Sequence, residues 1–163
     1  MHDEQRKGEV KLAFDPSKAP ADAALVFIGR IRSAWKTREE CPKNIAQARA
    51  SGITAILELD QPWRPGLEGL DTSKIIIVLY WMHQSRRDLI VQRPRHRTEA
   101  TGVFALRSPV RPNPIALATV QVLAVDVSSG MVEIDAIDCL DGTPLLDIKP
   151  WIETVDLPAS PTT

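Results

Sequence analysis

The sequence predicts an all-β fold with minor helix, a sandwich or a barrel. Three observations predict it. Six or seven short apolar runs of strand length recur along the 163 residues. Turn signals of Gly, Pro, Ser and Asp separate them at the intervals of sandwiches and barrels. No glycine-rich turn follows a strand and opens a helix, so neither a P-loop nor a Rossmann fingerprint is present.

The elements follow in order. Residues 1–22 are charged and proline-dotted and read as a flexible N-terminal arm. Residues 24–32 form the first strand; Gly29 within it predicts a bulge or a close backbone approach. Residues 33–44 are a charged loop, and 45–51 one or two helical turns stopped by Gly52. Residues 53–59 alternate as a strand, and 60–69 are loop and turn. Residues 73–83 are the most apolar strand, expected to be buried on both faces. Residues 103–106 read as a short strand and 115–127 as a long one. Ser128, Ser129 and Gly130 join 120–127 to 131–137 as a hairpin. Leu145 and Leu146 start a last strand, and the chain frays from 155. One domain spans 23–156, with a flexible tail over 157–163 and no linker that would separate two domains.

Composition narrows the functional classes. The hydrophobic fraction is 44% and the net charge −1, so any contact with a polyanion must come from local clustering. Cys41 and Cys139 form no metal-type pair, and His2, His83 and His96 lack metal-ligand spacing, so no metal is expected. The first 22 residues lack the apolar core of a signal peptide. The longest apolar run, 75–82, is too short to span a bilayer. No membrane association and a reducing, cytoplasmic compartment are expected.

Two stretches stand out. Residues 107–114, RSPVRPNP, hold three prolines that fix their own φ and push the preceding residues toward extended backbone. The result is a stiff loop presenting Arg107, Arg111 and Asn113, either to a ligand or as the charged decoration of a surface connection. Residues 84–97 carry Arg86, Arg87, Arg93, Arg95 and Arg97 against one acid, Asp88. Such a window faces an anion such as phosphate or is a solvated loop. No nucleophile elbow surrounds Ser108. Asp138 and Asp141, with Asp147 after them, are candidate acid–base carboxylates, although Asp141-Gly-Thr-Pro also reads as a tight turn. His83 ends the apolar strand and reads as a core histidine more readily than as a catalyst. The residues alone thus point to an anionic or nucleotide-like ligand.

Four motifs carry a resemblance: FALRSPVRPNPIALATV (104–120), DCLDGTPLLDIKPW (138–151), LYWMHQSRRDL (79–89) and IGRIRSAWKTREECPKN (28–44). Together they resemble the TrmO family, also called TsaA-like or YaeB-like, over about residues 25–156. The resemblance implies a small antiparallel β-barrel that binds S-adenosylmethionine and works as a homodimer. It implies methylation of N6 in N6-threonylcarbamoyladenosine beside the anticodon, at position 37 of tRNA. By position it assigns Pro42, Lys43, Asn44, His83, Gln84, Arg107, Leu117, Asp135, Ala136, Ile137 and Asp138 to the cofactor. Arg111, Asn113, Asp141, Thr143 and Lys149 fall on its R-P-N-P, D-G-T-P and D-I-K-P motifs. Asp138, Asp141 and Lys149 are then the catalytic candidates. The substrate tRNA is expected at Arg86, Arg87, Arg93, Arg95, Arg97, Arg111 and Asn113. The chain departs from the family at Leu106, where Thr is usual, and at Ala116-Leu-Ala, where Gly-Leu/Met-Ser is usual. The best-known bacterial members continue into a second, smaller domain. Action on another nucleotide or small molecule, or a non-catalytic cofactor- or RNA-binding module, stays open.

Overall fold

A computed structural model of the chain describes residues 5–72, 74–94 and 97–158. The fold is β-rich with little helix, as expected. It divides into two compact units, Leu25–Trp81 with Leu117–Thr163, and Met1–Ala24 with Met82–Ala116.

The first unit is a closed antiparallel barrel. Its strands are β2 (Gly29–Arg32), β3 (Ala55–Leu59), β4 (Ile75–Trp81), β7 (Ile115–Asp126), β8 (Met131–Ile134) and β9 (Thr143–Pro150), in the order β2-β3-β8-β7-β4-β9. Each inner face repeats every second residue, as the pleat requires. Ile31, Leu57, Val78, Val120, Val122, Val132, Ile134 and Leu145 fill the interior and are buried. A six-residue helix, α1 (Ile45–Ala50), follows the 33–44 loop and is capped by Asn44, whose side chain accepts from the Gln47 amide. The 128–130 hairpin forms as expected, with Asp126 opposite Met131 and Gly130 at φ 77°.

The second unit is a three-stranded sheet in the order β1 (Val10–Lys11), β5 (Leu89–Gln92) and β6 (Thr101–Gly102). Beside it runs the proline-rich loop. Prolines give that loop carbonyls without matching amides, so side chains must supply donors. Gln92 Nε2 donates to the Val110 carbonyl, Arg87 Nε to the Pro112 carbonyl, and Arg111 Nη2 to the Val103 carbonyl at 2.9 Å.

Several expectations differ from what forms. The first strand is paired over Gly29–Arg32, while Leu25, Val26 and Phe27 are exposed. Apolarity runs on there past the point where both neighbours hold the strand. β4 buries Ile76, Val78 and Tyr80 but leaves Ile75 exposed and Ile77, Leu79 and Trp81 half-buried. It belongs to an antiparallel barrel with one interior face, not to a sheet covered on both sides. Residues 103–105 form a 3-10 turn instead of a strand, because Arg111 Nη2 satisfies the Val103 and Leu106 carbonyls that a ladder would otherwise pair. Gln61–Leu67 is a 3-10 helix where loop was expected, and Val10–Lys11 pairs with β5 inside the segment read as an arm.

Gly29 is the close approach that the sequence suggested. A Cβ there would lie 2.0 Å from the Glu58 carbonyl oxygen and 2.9 Å from Leu59 Cα. These are backbone atoms of the paired strand and cannot rotate away. Gly52, by contrast, stops α1 at φ 68° with open space around it. Gly29→Ala is therefore expected to lower unfolding free energy by about 3 kcal/mol, against about 1 kcal/mol for Gly52→Ala. Urea titration followed by tryptophan fluorescence measures both; equal losses contradict the closure argument.

Candidate functional site

Three aspartates follow β8, and the barrel treats each differently. Asp135 is fully engaged. Its Oδ2 accepts from Arg49 Nε of α1 at 2.7 Å and its Oδ1 from the Gln121 amide of β7 at 2.8 Å. Arg49 Nη2 also donates to the Thr119 carbonyl at 3.0 Å. Asp135 thus fastens the short helix to the barrel wall. Asp141 is engaged as well. Its Oδ1 accepts from the Ser33 amide at 3.1 Å and its Oδ2 from Lys36 Nζ at 2.8 Å. The Lys36 hydrogen bond, with the Ser33 amide and the charges of Lys36 and Arg32, holds its carboxyl below the ordinary range.

Asp138 differs from both. Its Oδ1 accepts from the Tyr80 hydroxyl at 2.8 Å. Among the described residues no donor reaches its Oδ2, and the side chain is half-buried. The loop carrying Cys41, Pro42, Lys43 and Asn44 comes near it. Burial, helped by the Asp138 charge, pushes the Cys41 thiol up to about 11.

That loop is held at both ends. At its start, Ser33 Oγ donates to the Cys139 carbonyl at 2.9 Å and Trp35 Nε1 to the Ile137 carbonyl at 2.9 Å. The Asp141 amide returns a bond to the Trp35 carbonyl at 2.8 Å. At its end, Asn44 caps α1, and Gln47 Oε1 accepts from the Lys43 amide at 3.0 Å. Ala136 and Ile137 are buried in the barrel, and Leu117 is exposed on β7. Lys149 is exposed on β9, where Asp147 pairs with it at 2.7 Å and raises its pKa.

The remaining candidates belong to the other unit. His83 and Gln84 are exposed, so His83 is not a core histidine. Arg107 is exposed on the proline-rich loop. Arg86 grips Asp88 through two bonds of 2.8 Å. Arg87 donates to Asn113 Oδ1 at 3.1 Å, and Arg111 braces the 3-10 turn. Arg86, Arg87, Arg111 and Asn113 therefore have partners within their own unit, which the count of arginines did not reveal. Arg93 is half-buried, with its backbone amide donating to Glu9, and Arg97 is exposed. Arg95 and His96 lie outside the described residues, as does His2.

Sequence reasoning missed Tyr80, Trp35 and Cys41. Tyr80 had a signal: it continues the inward period of Ile76 and Val78, and a phenol at an inward position needs an acceptor. Trp35 and Cys41 lie within the 28–44 motif, but nothing local marks their roles, because the Ile137 carbonyl that Trp35 meets and the Asp138 near Cys41 lie far along the chain.

Residues 30–157 match the model of a family described as the tRNA-methyltransferase O N-terminal domain. A probable S-adenosyl-L-methionine-binding protein VirR of Rhizobium radiobacter is 41% identical over 89% of this chain and 78% of its own. A putative S-adenosylmethionine-dependent methyltransferase RcsF of Pseudomonas aeruginosa is 35% identical over 80% of this chain and 55% of its own. A crystal structure of TrmO matches with a TM-score of 0.69 and 32% identity, over 88% of this chain and 64% of its own. The chain spans less than two thirds of the solved structures it matches.

The lowered Asp141 pKa fixes the sign of an acid effect. The folded carboxyl ionises below its unfolded value, so its stabilisation is complete above the unfolded pKa of about 4 and is lost as pH falls through the folded one. Asp141→Asn keeps an acceptor for Ser33 and loses the Lys36 pair, which is partly exposed. It should cost about 0.5 kcal/mol at pH 7, with the difference from wild type closing toward pH 3. Asp141→Ala, which loses the Ser33 acceptor too, should cost about 1–2 kcal/mol at pH 7. Urea titrations at both pH values check the pair.

Proposed function

The chain belongs to the tRNA-methyltransferase O N-terminal domain family, and from that premise we propose that it is an S-adenosylmethionine-dependent methyltransferase acting on N6 of N6-threonylcarbamoyladenosine beside the anticodon of tRNA. Two kinds of support bear on the cofactor. The relatives that carry S-adenosylmethionine in their names match over most of this chain. The segment that the resemblance assigns to the cofactor, Pro42 to Asn44, also follows Cys41, which lies near Asp138, so a bound cofactor would sit beside the open acceptor oxygen.

S-adenosylmethionine, when bound, supplies a methyl group activated by a sulfonium. The protein's tasks are to orient the two reactants and to receive a proton. N6 of a carbamoylated adenosine is a weak nucleophile that carries one hydrogen, and it must lose that hydrogen as the new N–C bond forms. Asp138 Oδ2 is the acceptor for it. Asp141 is a poor alternative, since Ser33 and Lys36 occupy its oxygens and lower its basicity. Lys149 is an exposed partner of Asp147. The single observation that carries this reading is the open oxygen of Asp138 between two fully engaged neighbours.

Arg93 and Arg97 are the described arginines of the basic segment proposed to meet the tRNA backbone; Arg87 braces the loop that follows, and Arg86 pairs with Asp88. A tRNA substrate places the reaction in the cytoplasm, and the family resemblance implies a homodimer.

Methyl transfer from tritiated S-adenosylmethionine into bulk tRNA tests the proposal. Label is expected in the methylated threonylcarbamoyl nucleoside after digestion, and none in tRNA that lacks the threonylcarbamoyl group. Label in another nucleoside or a small molecule, or binding without turnover, overturns it. Asp138→Asn should slow single-turnover transfer by about 100-fold, with cofactor affinity by calorimetry held within about twofold.

A further inference from the structure

We propose that Tyr80 is a positioning residue for this reaction: its hydroxyl fixes the Asp138 carboxylate so that Oδ2 faces the proton it receives. The inference rests on the methyltransferase reading above and gives a role to a residue of the 79–89 motif that the resemblance left without one. Three observations carry it.

The first is directional. Tyr80 lies on β4 and is 3% exposed, and its hydroxyl donates to Asp138 Oδ1 at 2.8 Å. Aspartate has two rotatable side-chain bonds, and its carboxylate would otherwise turn. One fixed oxygen leaves the other with a defined direction. The second is a break in the strand pairing. The β4–β9 register shifts between Leu79 and Tyr80, so that Leu79 faces Asp147 and Tyr80 faces Leu145. The residue left over is Leu146 on β9, so the break lies beside Tyr80 on the neighbouring strand, and such breaks gather beside active sites. β4 itself keeps its inward period, which carries the Tyr80 side chain to Asp138. The third is protonation. Burial above all, with the Asp138 charge added to it, drives the phenol far above its ordinary pKa. The hydroxyl therefore keeps its proton and remains a donor to Asp138.

A buried phenol also needs an acceptor for purely structural reasons. The two roles separate in a double-mutant cycle. Tyr80→Phe removes one oxygen and keeps the ring in the core. If Tyr80 acts through Asp138, Tyr80→Phe slows single-turnover methyl transfer to bulk tRNA by about tenfold, the equivalent of one hydrogen bond to a charged group. Cofactor affinity by calorimetry stays within about twofold. In an Asp138→Asn background the same change then costs nothing further, because the carboxylate it orients is gone. Thermal melts confirm that each variant is folded.

Wild-type rate in Tyr80→Phe overturns the inference. So does a double variant slowed by the product of the two single losses, or a loss of cofactor affinity that matches the loss of rate. An active wild type with an unaffected Tyr80→Phe overturns this inference alone. An inactive wild type overturns the methyltransferase reading, and this inference with it.

Discussion

Barrel closure depends on four residues. Gly29–Arg32 pairs with β3 on one side and β9 on the other, and no other strand joins those two. The first residue of that strand has no room for a side chain, because the neighbouring backbone lies where a Cβ would go. Closure removes exposed sheet edges, which is how small all-β units avoid edge-to-edge association. It also forces the chain leaving β2 to pass next to the chain leaving β8. The 33–44 loop and the 135–142 segment therefore meet as a consequence of the strand order.

Where they meet, the backbone leaves the ladders and its polar groups need other partners. Ser33, Trp35 and Arg49 donate to the Cys139, Ile137 and Thr119 carbonyls, and Asp141 and Asp135 accept from the Ser33 and Gln121 amides. These contacts tie the meeting point together on several sides, and a rigid surround is what the methyl transfer proposed above would require. Asp138 sits between the two fastening carboxylates in sequence and, among the described residues, is held at one oxygen only. The proposed site would need little machinery: a firm frame, one directed acceptor, and a donor behind it to keep that acceptor still.

The basic segment shows a different economy. Its composition suggests a surface for phosphate, and part of it is committed elsewhere. Arg86 forms a two-pronged pair with Asp88, and Arg87 serves the Pro112 carbonyl and the Asn113 side-chain oxygen of the proline-rich loop. A loop rich in proline has more acceptors than donors, so guanidiniums with several N–H groups are suited to it. Charge counted along a chain overstates charge available to a partner whenever the fold itself needs donors.

The sequence by itself determined the β-rich class, the 128–130 hairpin, the short helix stopped at Gly52, the long strand from 115 and the tight role of Gly29. These follow from local periodicity, turn chemistry and glycine's missing side chain, which act over a few residues. It also carried the motifs of the family, because those are contiguous runs. Only the tertiary structure decided which of three nearby aspartates keeps an open oxygen, that residues 103–105 turn instead of extending, and that Tyr80 stands behind Asp138. Those outcomes depend on partners 58 residues apart for Tyr80 and Asp138 and 108 for Ser33 and Asp141. Hydrogen bonds of that reach are set by how strands order themselves around a closed barrel, and no local pattern encodes that order.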